Sequence, residues 1–231
     1  MAKAKLKREV ILALREYFLW LSILSILPSM MSPTTADPSY YYAGYAFKNK
    51  EWLAPWGTTA EIYAVNTNVP AGHLYAEWIT IILSYYYKYW IQLGYLKTYT
   101  YTEPWFYWET YDSSGQHRTY VIGSTIPGHT YTFIIVHATK TDLRLWDLVI
   151  REGANTIWSG EVSVNPYEPK DHRAFVETTT TAICITGSHF SELRYFDGRS
   201  WPYWYTHVKI ADLPYYVVEV SHHEFYANGG G

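Results

Sequence analysis

The feature that most constrains this chain is its punctuation. From residue 58 onward, short runs of alternating apolar and polar residues are cut by turn signals every ten residues or so: Val69-Pro70-Ala71-Gly72, Asp112-Ser113-Ser114-Gly115, Pro127-Gly128, Glu152-Gly153-Ala154-Asn155 and Asp197-Gly198. No run carries a helical period. The spacing predicts about a dozen strands: 58–66, 75–83, 89–95, 105–111, 118–122, 130–138, 143–151, 156–162, 173–181, 191–196, 206–210 and 215–221. Strands of that length and spacing predict an all-β fold, a two-sheet antiparallel β-sandwich of jelly-roll type. No repeat or linker breaks residues 58–226, which read as one domain. Residues 37–57, rich in Tyr and Trp but without a pattern, read as an N-terminal extension wrapping the sandwich. The tail 227–231, ANGGG, reads as disordered.

The 231 residues include 25 Tyr and 11 Trp, side chains that pair a large apolar ring with one polar handle and suit sheet faces and clefts. Residues 1–16 hold five Lys/Arg against Glu9 and Glu16, a surplus of +3, so the rest carries −6 of the net −3. A mildly acidic body argues against nucleic acid, which demands a basic face. The basic head leads into YFLWLSILSIL (Tyr17 to Leu27), then Pro28 and small residues ending at Ala36. That order is the layout of a secretory signal over residues 1–36, expected as a signal or anchor helix. As a helix the apolar block spans only ~17 Å against the ~30 Å hydrocarbon core, which favours a cleaved leader over a membrane anchor. A membrane is therefore expected as a partner only through an uncleaved leader. With one cysteine, Cys184, no intrachain disulfide forms, and no Asn-X-Ser/Thr site occurs. These facts point to an exported, cell-surface or secreted protein of prokaryotic type. They assign no oligomeric state.

Polar side chains set among aromatics single out candidate chemistry. In Tyr89-Trp90-Ile91-Gln92-Leu93-Gly94-Tyr95, strand alternation puts Trp90, Gln92 and Gly94 on one face and Ile91, Leu93 and Tyr95 on the core face. In Trp105-Phe106-Tyr107-Trp108-Glu109-Thr110-Tyr111, Glu109 shares a face with Trp105, Tyr107 and Tyr111. In Ala174-Phe175-Val176-Glu177, Glu177 shares a face with Phe175 and Thr179. Carboxylates half-buried among rings need partners or cost several kcal/mol. On adjacent strands opposite side chains lie ~5 Å apart, so a Gln and a Glu there would share one water.

The order W-x-Q-x-G (Trp90 to Gly94), Tyr107-Trp108-Glu109-x-Tyr111, a late strand glutamate (Glu177) and Leu193-x-x-Phe196 resembles the glutamic peptidases called eqolisins, over about residues 75–205. The plant-type neprosin peptidases, with a related sandwich and a pair of glutamates, are a poorer match. The resemblance implies a concanavalin-like double sheet and a catalytic Gln–Glu dyad, with Gln92 and Glu177 as the dyad and peptide hydrolysis in an acidic medium as the activity. Glu109, Trp90, Tyr107 and Trp105 would then line the substrate site, and no cofactor is implied. The chain departs from the family where Thr178 to Thr181 replace a Trp and a second Glu.

Other readings stand beside it. The same aromatic face suits a glycan-binding module, with Gln92 and Glu109 bonding hydroxyls, and Glu109 with Glu177 would suit a glycosidase if their carboxyls stood ~5–9 Å apart. Tyr-rich strands also suit a surface or filament subunit. No metal ligands are assigned: His222 and His223, adjacent on a strand, face opposite ways and Glu224 supplies no third ligand at zinc spacing. His129 and His137 read as surface or satisfied core residues, and Cys184, between Ile183 and Ile185, as a small core residue.

Overall fold

The computed structural model describes residues 40–48, 56–84, 88–112, 116–139, 142, 144–164 and 169–231. The expected leader helix of residues 1–36 lies outside these. Among the described residues fourteen strands, numbered β1 to β14 in chain order, make two seven-stranded antiparallel sheets. The first runs β12 (Val208–Ala211), β1 (Tyr41–Lys48), β10 (Asp171–Thr178), β3 (Leu74–Ser84), β4 (Tyr89–Thr98), β5 (Trp105–Tyr111), β6 (His117–Ser124). The second runs β13 (Tyr215–Ser221), β14 (Glu224–Gly229), β11 (Ile185–Phe196), β2 (Gly57–Tyr63), β7 (Thr130–His137), β8 (Leu145–Glu152), β9 (Asn155–Ser163). The all-β sandwich expected from turn spacing is the fold.

Alternation decides which face each strand buries. Ile79 and Ile81 of β3, Ile91, Leu93 and Tyr95 of β4, Phe133 and Ile135 of β7 and Trp146, Leu148 and Ile150 of β8 all point between the sheets and are fully buried. Each such aliphatic or aromatic side chain contributes about 1.5–3 kcal/mol by leaving water. The outer face of the first sheet carries a second, smaller apolar cluster: Ala46, Ala76, Trp78, Leu96, Tyr107 and Phe175. A sheet that buries rings on its outward side as well forms the floor of a trough, and that floor positions the candidate site.

Three expectations are corrected. Within the supposed patternless extension, Tyr41–Lys48 is a central strand between β10 and β12. Its alternation is real, with Ala43, Tyr45 and Phe47 facing the core, but the small Gly44 and Ala46 on the other side hide the period. The tail is ordered: Ala227 to Gly229 complete β14, and Gly231 N–H donates to Thr181 O at 3.0 Å. Glycine is required there, because Gly230 has φ +77° and a Cβ would stand 2.1 Å from Ile183 O. Cys184 is exposed, with Sγ 3.6 Å from Thr186 Oγ1, because it lies on the outward side of the connection between β10 and β11 while Ile183 and Ile185 fill the core.

Among the buried polar side chains, Glu77 stands out. Glu77 sits on the inward face of β3, fully buried, and its Oε1 accepts from Tyr75 Oη and from Ser188 Oγ (2.5 Å) on β11 of the facing sheet. Its Oε2 is buried without a partner. Burial raises its pKa from 4.5 to about 7, offset in part by the bonds from Ser188 and Tyr75. The folded state then holds a proton that the unfolded chain releases near 4.5. Stability from this group is complete below the unfolded value and is lost as pH rises through about 7, by roughly 3 kcal/mol at about 1.4 kcal/mol per pH unit. Urea unfolding should therefore give a lower midpoint at mildly alkaline than at mildly acidic pH. Glu77→Gln, which keeps the acceptor oxygen and cannot ionise, should flatten that slope and be the more stable protein on the alkaline side.

Candidate functional site

The site is built outward from β3. Trp78 projects into the trough between Gly94 on β4 and Phe175 on β10, its two register partners. Gly94 is imposed by this close approach: a Cβ would stand 2.0 Å from Glu77 O and 2.7 Å from Trp78 Cα. Phe175 packs edge-on against the Trp78 ring (centroids 5.4 Å apart, 86° between planes), and Tyr42 of β1 leans on both. The indole is thereby held with its N–H available, and Trp78 Nε1 donates to Glu177 Oε2 at 2.8 Å.

Gln92 lies one step along the same trough. Its Nε2 donates to Tyr107 Oη at 2.5 Å, and it stands directly across from Glu109 in the β4–β5 register. The amide has two N–H groups, so this bond leaves one for another acceptor. Tyr107 is buried, and burial first, then the negative charges of Glu109 and Glu177, hold its phenol well above the ordinary range. It is a neutral donor and acceptor that fixes the amide. Glu109 accepts from His117 Nε2 at 2.5 Å and from Thr119 Oγ1 at 3.0 Å, both on β6. The hydrogen bond to Glu109 is the main cause of a raised His117 pKa, and the two form an ion pair when His117 is protonated. Trp90 stacks on Tyr111 (5.0 Å, 9°) and touches His117, while Trp105 stacks on Tyr101 (5.2 Å, 25°). Both tryptophans are half-buried at the rims.

Glu177 faces the trough from β10, half-buried, with its pKa raised from 4.5 to about 7. Loss of hydration is the largest cause and the Glu109 charge the next; the Trp78 bond and the His117 charge oppose them. Gln92 and Glu177 thus share one face of one sheet, as their alternation predicts, but not neighbouring strands: β3 runs between them. The register also offsets them, since Gln92 pairs with Thr80 and Glu177 with Ala76. On a flat sheet that means about 10 Å across and about 13 Å along. The Glu109 charge raises the Glu177 pKa and the His117 charge lowers it, so the Glu177 carboxyl is coupled electrostatically to groups on β5 and β6, beyond Gln92.

Other sequence candidates go elsewhere. Leu193 is core. His129 pairs with exposed Glu152, and His137 is buried between Trp56 and Trp146. Sequence reasoning left Trp78, Tyr42, His117 and Thr119 out of the site. Trp78 was within reach, because Ala76, Trp78 and Thr80 alternate with the core series Tyr75, Glu77, Ile79. His117 carries no such signal, as only the β5–β6 register brings it to Glu109.

No protein-family model matches the sequence, and no curated protein matches it. Solved structures do. The structure is similar to scytalido-glutamic peptidase bound to a peptide-based transition-state analogue (TM-score 0.61) and to the same peptidase with a transition-state analogue inhibitor (TM-score 0.63). It is also similar to SCP-B, a member of the eqolisin family of peptidases, in complex with the tripeptide Ala-Ile-His (TM-score 0.55). In all three, 83% of this chain aligns with 98% of the other at 7% identity. The chain has the eqolisin fold. At that identity the likeness establishes architecture, and the chemistry rests on the trough.

If Glu109 supplies part of the field at Glu177, Glu109→Gln should lower the Glu177 pKa, read from carboxyl carbon shifts in an NMR titration. An unchanged value would separate the two carboxyls electrostatically.

Proposed function

We propose that this protein is a peptidase that binds an extended polypeptide along the trough of the first sheet and hydrolyses it with Glu177 and Gln92. The observation that carries the reading is a solvent-reachable glutamate with a pKa near neutrality, facing the same trough as an amide with an uncommitted N–H. The shared architecture with glutamic peptidases supports it.

The chemistry follows from the groups present. Ionised Glu177 takes a proton from a water held between it and Gln92 as that water attacks the peptide carbonyl. The free N–H of Gln92 donates to the oxyanion that develops, while the bond to Tyr107 keeps the amide oriented. The protonated Glu177 returns its proton to the leaving amine as the C–N bond breaks, which restores the carboxylate. Trp78 holds one oxygen of Glu177 and leaves the other for water. The His117–Glu109 pair biases the equilibrium: the Glu109 charge raises the proton affinity of Glu177, and His117 moderates it.

The rising limb of activity that an unperturbed glutamate base would place near 4.5 moves up toward 7. With Glu177 near 7, the base form is scarce in acid and dominant above neutrality. Export through the leader of residues 1–36 belongs to the same proposal. The glycan reading draws less support, because the rings it requires are engaged by other rings: Trp90 stacks on Tyr111, Trp105 stacks on Tyr101, and Phe175 packs edge-on against Trp78.

The test is cleavage of a peptide library by the full chain and two variants. Gln92→Ala and Glu177→Gln should each lower kcat by roughly a hundredfold or more. Wild-type kcat/KM should rise with pH through an apparent pKa near 7 and then level. Undiminished cleavage by both variants would end the reading.

A further inference from the structure

On the far side of the first sheet, where its edge meets that of the second, three potential metal ligands from separate segments converge. His207 precedes β12, Glu219 lies on β13, and His222 sits in the turn before β14. One ring nitrogen from each histidine and one Glu219 oxygen lie within 4.8 Å of one another. The two Nδ1 atoms face each other at 3.1 Å, and His207 Nε2 is 3.5 Å from Glu219 Oε2. We propose that His207, Glu219 and His222 bind a divalent transition metal of the zinc class, which clamps the edges of the two sheets together.

Ligand chemistry favours this cation. Two imidazoles and one carboxylate are the donors zinc takes, at about 2.0–2.2 Å, which places tetrahedral ligand atoms roughly 3.3 Å apart. The facing nitrogens already stand close to that separation. His207 is preset, its ring stacked on buried Tyr45 (3.9 Å, 16°) and its side chain only 7% exposed. Among the described residues the buried phenol of Tyr45, whose ring stacks on His207, has no hydrogen-bond partner. His207 meets His222 through Nδ1 and Glu219 through Nε2, so binding one ion requires the exposed Glu219 or His222 side chain to turn toward a single His207 nitrogen. Lys209, 3.4 Å from Glu219, is the competing cation, but an exposed Lys–Glu pair holds with little energy.

The location gives the metal a purpose. β12 is the edge of one sheet and β13 the edge of the other. With Cys184 the single cysteine, no disulfide joins these layers. Tyr45 faces the core while Tyr42, on the same strand, faces the trough, so the clamp lies across the first sheet from Glu177. His222 looked metal-free in sequence because its partners come from fifteen residues upstream and from the preceding strand, not from Glu224.

The experiment uses the full, tag-free chain stripped of metal by a chelator. Zinc should titrate calorimetrically with one saturable site and raise the melting temperature by roughly 5–10 °C at a concentration about a hundred times Kd. Cobalt at the same site should give visible d–d bands. His222→Ala, an exposed turn position, should weaken binding about tenfold or more and abolish the bands, while His223→Ala leaves both unchanged. Peptide cleavage at low temperature should be the same with and without metal. No saturable zinc binding, or equal binding by wild type and His222→Ala, would overturn the proposal.

Discussion

The hydrogen bond from Trp78 to Glu177 is the interaction on which the trough depends. It joins a strand that is central in the first sheet to the carboxyl of its neighbour, and Gly94 permits the close approach of β4 to the Trp78 backbone, where a Cβ would collide with Glu77 O and Trp78 Cα. A side chain at Gly94 would push β3 and β4 apart or lift the ring. Either change would free the carboxyl and unseat Phe175.

β3 presents a carboxyl to each side of the sheet, one from its own sequence and one through its tryptophan. Glu77 points into the core and Glu177 stands over the trough, and loss of hydration raises both toward neutrality. Their partners separate the two roles. Glu77 is closed in by Tyr75, Ser188 and the facing sheet, so its proton ties the layers together and serves stability. Glu177 has a single anchored oxygen and a neighbouring charge in Glu109, so its proton can be exchanged with solvent. The fold thereby carries its stability maximum on the acid side of the pH at which the trough carboxyl becomes a base.

Much of this was legible in the chain. Turn spacing and period-two alternation gave the sandwich, and alternation alone placed Gln92, Glu109 and Glu177 with Trp90, Trp105 and Tyr107 on the outward face. What escaped depends on pairing between distant segments. β1 was hidden because Gly44 and Ala46 stand where polar residues would mark a period. The intervention of β3 between Gln92 and Glu177 follows from strand order, which alternation does not encode. Glu77 carries no signal in the sequence, because its partner Ser188 lies more than a hundred positions away. The tail was misread because its glycines signal close packing as readily as freedom.

The central claim is that one trough brings Gln92 and Glu177 to the same reacting carbonyl. A crystal structure of the protein with a peptide-based transition-state analogue tests it most directly. The account predicts the analogue's tetrahedral centre in the trough, one of its oxygens on the Glu177 carboxyl and another on the Gln92 amide, with Tyr107 still bonded to that amide. An analogue bound elsewhere, or one seated in the trough with its tetrahedral centre out of reach of either side chain, would contradict it.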